Sequence, residues 1–336
     1  MTRIIKLITI TLVFAAFLIV GALTFSPITK EARVIQIKPG STLSKLAYDW
    51  NKDGWLQSAR AVLIVARLTG MQTVRPGEFE APAEMTAYQL LTFLKTAQPK
   101  SYKVVFIEGT RVSDALKALA NAKGVVQDIE PLTADNVRKK LNISGHIEGW
   151  LFPDTYVYYS GDKASSIVKQ AYDRTVTVLE EEWANREEGL PYKNAYEALT
   201  MASIVEKETG QGFERPMIAG VFVRRLNKNM RMETDPTVIY GLGDSYQGNL
   251  RKKHLRDRSN FYNTYRHKGL PPSPIALAGR EAINAALHPA EGDELYFVAK
   301  GDGTHVFSSN LKDHNKAVRK YQIFRRAKDY RSAPTK

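Results

Sequence analysis

Glu206 and Glu208 bracket Lys207 near the end of a segment, Asn194 to Thr209, whose apolar residues recur at helical spacing. On a wheel at about 100° per residue with Ile204 at the origin, Met201, Val205, Ala198 and Ala202 extend an apolar stripe to roughly 160°. Glu208 falls at about 40°, inside that stripe; Glu206 lies near 200°, at its margin, and Lys207 near 300°, on the far side. A carboxyl directed into an apolar face loses hydration, which disfavours its ionised form and raises its pKa. That is the environment a general acid needs at neutral pH. Thr209-Gly210 then reads as a helix stop, which sets Glu208 at the edge of a cleft. The competing reading leaves Glu208 at the end of an ordinary amphipathic helix, turned out to solvent.

Four further segments concentrate turn formers, polar side chains and aromatic rings: Glu148 to Tyr156 (EGWLFPDTY), Thr234 to Gly241 (TDPTVIYG), Tyr262 to Tyr265 (YNTY) and Gly269 to Ile275 (GLPPSPI). Aromatic faces stack on the apolar side of sugar rings, and Asn, Asp and Thr hydrogen-bond hydroxyl and N-acetyl groups. Loops set by Pro and Gly hold such groups at fixed geometry, as an oriented site requires. The candidate binding residues are Glu148, Phe152, Asp154, Thr155, Asp235, Thr237, Tyr240, Asn263, Tyr265 and Pro272. Taken singly, each segment also fits a buried structural corner, and Asp154 and Asp235 fit capping carboxylates.

The elements that must position these residues follow from periodicity. Arg33 to Ile37 alternates as a strand, Pro39-Gly40 turns, and Ser41 or Thr42 caps a helix carrying Leu43, Leu46 and Ala47. A second helix runs over Ala59 to Thr69, a short strand over Glu78 to Glu80, and Thr86 caps a helix from Ala87 to Thr96. Tyr102 to Phe106 is a strand, followed by a helix with Val112, Leu116 and Leu119 on its apolar side. Helices are expected over Ser165 to Arg186, Asn194 to Thr209 and Val221 to Leu226, and a strand over Leu295 to Ala299. No solenoid-period repeat is visible. The fold class is α+β.

The chain has 336 residues, 43% of them hydrophobic and 25% charged, which excludes a collagen-like, wholly disordered or disulfide-stapled molecule. It has no cysteine, so disulfides, thiolate metal sites and cysteine nucleophiles are excluded. The six histidines show no pair at helical metal-ligand spacing, and neither a metal nor a cofactor is expected. The net charge of +13 suggests an anionic partner without choosing among nucleic acid, lipid headgroups and acidic polymer. Leu7 to Phe25 is an almost uninterrupted apolar run, close to the length that spans the roughly 30 Å hydrocarbon core. Arg3 and Lys6 precede it, so the positive-inside rule keeps the N-terminus in the cytoplasm and places the body outside. The run is too long for the apolar region of a signal peptide and lacks an Ala-x-Ala site, and it reads as an uncleaved single-pass anchor. An extracytoplasmic body argues against nucleic acid. Eight basic residues against Asp329 alone, from Lys316 to Lys336, form a solvated tail or a patch for anionic lipid or wall polymer.

Ala202 to Thr209 (ASIVEKET), the four segments above, and Ala285 to Ala290 (AALHPA) with Leu295 to Val298 (LYFV) closely resemble the endolytic murein transglycosylase family (MltG, YceG-like) in order and spacing. Lys312-Asp313-His314-Asn315 departs from the Glu-His that many members show. Ile37 to Leu43 (IKPGSTL), with Leu46-Ala47 a turn later, resembles a LysM module, a glycan-binding family; a stalk without glycan affinity fits equally. The resemblance implies residues 1–6 in the cytoplasm, a transmembrane helix at 7–25, a linker at 26–32 and a LysM-like α+β subdomain at 33–100. A larger α+β transglycosylase domain then spans 101–322, with a basic tail at 323–336.

The same resemblance implies chemistry. Glu208, the second glutamate of the triplet, is the acid that protonates the glycosidic oxygen between N-acetylmuramic acid and N-acetylglucosamine. Its carboxylate then takes the proton of the muramic 6-hydroxyl, which attacks C1 and leaves a 1,6-anhydromuramyl end. Glu148, Asp154, Asp235 and Asn263 are the polar groups expected around the developing charge. The resemblance further implies an inner-membrane protein that cuts nascent peptidoglycan strands and associates with penicillin-binding synthases. Three other readings stay open: a non-catalytic tether between membrane and murein, a basic nucleic-acid binder, and a hydrolase in which Asp154 or Asp235 supplies a second carboxylate.

Overall fold

The computed structural model describes Gly21 and residues 26–324. The expected membrane anchor over 7–25, Gly21 apart, and most of the expected basic tail, 325–336, lie outside the described residues. Among the described residues no helix is long and apolar enough to cross a membrane.

In chain order the elements are β1 (Arg33–Ile37), α1 (Leu43–Lys52), α2 (Ala59–Thr69), β2 (Gly77–Ala81), α3 (Ala87–Thr96), β3 (Ser101–Val105), α4 (Val112–Ala120), α5 (Ala134–Lys140) and β4 (Thr155–Tyr159). They continue with α6 (Ala164–Ala184), α7 (Ala195–Glu208), α8 (Arg215–Asn227), α9 (Asp235–Leu242), α10 (Lys252–Arg256), α11 (Arg280–Leu287), β5 (Tyr296–Ala299), β6 (His305–Ser308) and α12 (Leu311–Val318). The strands form three two-stranded sheets, β1–β2, β3–β4 and β5–β6, so the class is α+β. The chain divides into two compact units. The first contains the described residues up to Lys103 together with Ala122–Val126 and Val157–Lys163; the second contains the remainder.

In the first unit β1 and β2 pair antiparallel, with Ile35 opposite Phe79. Alternation turns Ile35, Ile37, Phe79 and Ala81 inward, where they are buried under α1, α2 and α3. Trp50 and Trp55 meet edge to face at 5.3 Å in the same core. Thr42 and Ser58 accept backbone N–H bonds as N-caps, and Thr86 with Gln89 forms a capping box. The three helices therefore start where the sequence predicts.

The second unit is built around α7. Asn194 caps its first turn by accepting the Glu197 N–H at 3.0 Å. The helix packs on α11, α8, α9 and α6. Here the structure differs from the wheel: every residue from Ala198 to Glu206 is buried, including Thr200, Ser203 and Glu206, so the helix has no broad solvated face. Ala198, Ala202 and Ser203 carry little bulk and admit close neighbours on several sides. The polar groups buried with them are satisfied: the Ser203 hydroxyl donates to Thr200 O (2.7 Å) and accepts from Ile275 N (3.0 Å). A second difference concerns Thr234 to Gly241, which reads as a loop but folds as α9 from Asp235. Pro236 falls in the first helical turn, where a missing N–H costs nothing and the fixed φ suits the helix.

Candidate active site

The C-terminal end of α7 opens into a cleft of about 480 Å³ lined by Glu208, Thr234, Asp235, Tyr265, Tyr296 and His314, among others. Glu208 is the last helical residue, and Thr209 after it is extended. The residue is half-buried. The Thr234 hydroxyl donates a hydrogen bond to its Oε1. Burial pushes the Glu208 carboxyl from 4.5 up to about 7, with the nearby Asp235 charge adding to the rise and the Thr234 bond opposing it. At that value the group both holds and releases a proton near neutral pH.

Thr234 is held from behind. Its N–H donates to Thr264 Oγ1 (3.1 Å), its carbonyl accepts from the Thr237 hydroxyl (2.8 Å), and Thr237 and Thr264 share a hydrogen bond at 2.9 Å. Glu233 just before it stands at φ +56°, the left-handed region. Its carboxylate accepts from Arg225 (3.2 Å) and its N–H donates to Thr264 O (3.3 Å), which holds this uncommon turn. The turn carries Thr234 to Glu208. Asp235 is exposed in the cleft and accepts from the Tyr265 hydroxyl at 2.7 Å. Burial and the facing Asp235 raise the Tyr265 phenol above its ordinary range, so it stays protonated.

Of the candidate residues, Glu208, Asp235 and Tyr265 line this cleft. Thr237 and Asn263 are fully buried and act from behind it. The Asn263 amide donates to the His254 and Asp257 carbonyls (3.1 and 2.6 Å), and its oxygen accepts from Tyr265 N (3.1 Å), so it shapes the turn that presents Tyr265. Glu148 and Tyr240 form a separate buried cluster: Glu148 accepts from Val112 N (2.8 Å) at the start of α4 and from the Tyr240 hydroxyl (3.2 Å). Burial raises the Glu148 pKa. Phe152 and Asp154 border another cavity of about 460 Å³ with Arg174 and Arg280, and Thr155 is exposed at the start of β4. Pro272 lines a cavity of about 530 Å³ with Asn194 and Tyr196, at the opposite end of α7. A 14-residue helix places its ends about 20 Å apart.

Two close approaches pack the first of the four segments on the last, and the second on the residue two before Tyr262. A Cβ on Gly149 would lie 2.6 Å from Pro274 Cβ, and one on Gly241 would meet the Asn260 amide. Glu206, by contrast, faces away from the cleft: it accepts from Arg215 (3.3 Å) and Gly279 N (3.1 Å), and Arg215 also pairs with Glu281. Sequence reasoning missed Thr234, Thr264 and Glu233 as contributors. Thr234 lay inside a highlighted segment, but nothing local marks its hydroxyl as a partner of a carboxyl 26 residues away.

An α+β domain whose central helix ends in a desolvated carboxyl above a polar cleft is built for general acid–base chemistry. Comparison with known proteins gives the class a lineage. The chain belongs to the YceG-like family, whose model matches residues 35–320. It is similar to an endolytic murein transglycosylase of Bacillus subtilis (strain 168), 31% identical over 336 residues, which covers 92% of this chain and 91% of the relative. A relative of the same name from Streptococcus pneumoniae serotype 2 is 31% identical over 178 residues, 51% of this chain and 32% of its own length. The crystal structure of a YceG-like protein from Listeria monocytogenes matches with a TM-score of 0.52 and 27% identity, over 86% of this chain and 99% of that one.

Proposed function

We propose that this protein is an endolytic murein transglycosylase in which Glu208 is both acid and base. The observation that carries the reading is the state of one carboxyl, burial-raised to about 7 and tethered by Thr234. The protonated group donates to the glycosidic oxygen between N-acetylmuramic acid and N-acetylglucosamine, and the C1–O bond breaks. The carboxylate so formed takes the proton of the muramic 6-hydroxyl as O6 bonds to C1. Glu208 ends the cycle protonated and no water is consumed. Asp235, facing the developing positive charge at C1, stabilises it electrostatically, and Tyr265 fixes Asp235.

The apolar run at 7–25 anchors the enzyme in the inner membrane with its body outside the cytoplasm, where it trims nascent strands beside penicillin-binding synthases. The LysM-like unit at 33–100 adds a glycan contact near the bilayer; its support is the Pro-Gly opening and the capped helix at Thr42.

Mass spectrometry of purified, un-crosslinked glycan after digestion tests the proposal. Anhydro ends from wild type and none from Glu208→Gln are expected. Reducing ends would instead establish a hydrolase using Asp235, the other carboxylate beside Glu208, and intact strands would leave a tether.

A further inference from the structure

The Glu208 cleft has a second polar feature that the reaction above leaves unused. His314 and Asn315 line the same cleft as Glu208. The His314 ring stacks on Tyr296 with centroids 5.1 Å apart and planes 25° from parallel. The Arg225 guanidinium lies over the Tyr296 ring at 4.9 Å and is itself fixed by the carbonyls of Leu295 (2.6 Å), Arg231 and Met232 (both 3.0 Å) and by Glu233 (3.2 Å). The imidazole is therefore held flat by a rigid stack, and its backbone N–H is tied to Asn310 O at 3.1 Å in the first turn of α12.

His314 Nδ1 is buried and has no hydrogen-bond partner among the described residues. A buried N–H without an acceptor is costlier and rarer than a buried lone pair, so Nδ1 is the unprotonated nitrogen of the neutral ring. Burial and the neighbouring Arg225 charge lower the His314 pKa and keep the ring neutral. The proton then resides on Nε2, which leaves the stacked imidazole a single donor, on a residue that lines the cleft. Its natural acceptor is an uncharged oxygen, because a neutral donor backed by a stacked aromatic ring matches a sugar better than a phosphate or carboxylate.

We propose that His314 is a substrate-binding residue, donating from Nε2 to an acetamido carbonyl or hydroxyl oxygen of a sugar in the glycan strand bound at Glu208, with Tyr296 fixing the ring. The inference rests on the transglycosylase reading of the same cleft. Binding of un-crosslinked murein glycan strands, freed of stem peptides, to full-length Glu208→Gln protein tests it by calorimetry. Adding His314→Phe keeps the stack and the bulk but removes the donor, and roughly tenfold weaker binding is expected for one lost neutral hydrogen bond. Adding His314→Gln instead restores an N–H donor and is expected to hold binding within about threefold of the parent. Equal binding by the Phe variant and its parent overturns the inference while the functional reading stands. Equal weakening by Phe and Gln, with a lowered melting temperature in both, also overturns it by assigning His314 a purely structural role. A Glu208→Gln parent that binds no strand at all overturns the functional reading and the inference with it.

Discussion

The Thr234 hydroxyl donates to the Glu208 carboxyl across a gap of 26 residues in sequence. Two opposing influences meet at that bond. Burial and the Asp235 charge favour the protonated carboxyl, whereas the Thr234 donor favours the carboxylate. The balance near neutrality suits a group that must donate a proton in one step and accept one in the next.

Removing the donor tips that balance. Thr234→Val is expected to raise the Glu208 pKa further and move the pH–rate profile for anhydro-product formation to higher pH. Thr234→Ser, which keeps the hydroxyl, should leave the profile nearly in place. Identical profiles for wild type and the Val variant would show that the bond does not tune the acid.

Asp235 acts in the other direction. Asp235→Asn removes a repelling charge, so the Glu208 pKa should fall and the profile shift to lower pH, while the amide oxygen still accepts from Tyr265. A shift to higher pH in the same assay would contradict the electrostatic assignment.

Glu208→Gln should fold and lose about 10²–10⁴-fold in cleavage rate, the usual contribution of a positioned general acid. Quantifying anhydro-ended fragments against time measures it. A variant keeping most wild-type activity would remove Glu208 from the chemistry.

The same substitution should stabilise the protein at alkaline pH. Folded Glu208 titrates near 7 and the unfolded chain near 4.5. Below pH 4.5 the group is protonated in both states. Between 4.5 and 7 the folded state retains a proton that the unfolded state has released, so stability falls as pH rises through this window and the loss is complete above it. At 1.36 kcal/mol per pH unit, discounted for its partial exposure, Glu208→Gln should gain about 1–3 kcal/mol over wild type at pH 8 and little at pH 4. Urea midpoints at the two pH values check this; parallel curves would sink it.

Glu206→Gln should separate structure from chemistry. It weakens a buried pair with Arg215 and the bond from Gly279 N, at a cost of about 1–3 kcal/mol in thermal stability. Arg215 keeps Glu281, which limits the damage. The product should still carry anhydro ends. An inactive but normally stable Glu206→Gln enzyme would reverse the roles of the two glutamates.

Much of the fold was legible from local signals. The caps at Thr42 and Thr86 and the alternation in β1 depend on neighbours within one turn or one strand, and α1 and α3 start where those signals put them. The start of α9 was misread because Pro236 serves equally in a loop and in a first helical turn. The short strands β4 and β6 went unread: β4 begins in the tail of the aromatic segment read as a loop, and β6 follows the turn-rich Gly301-Asp302-Gly303 stretch.

The sequence by itself placed Glu208 at the end of a helix, on the side that turns inward, because a 100° step per residue fixes direction without any knowledge of neighbours. By phase it put Glu206 at the margin of the apolar stripe, whereas the folded protein buries Glu206 more deeply than Glu208. What it could not supply was the company each keeps. That Thr234 reaches Glu208, that Asn263 is spent on backbone carbonyls, and that Glu148 caps α4 rather than lining the cleft are all outcomes of long-range packing. Burial raises a pKa only when other parts of the chain close over the carboxyl, so the proton on Glu208 is a property of the tertiary structure.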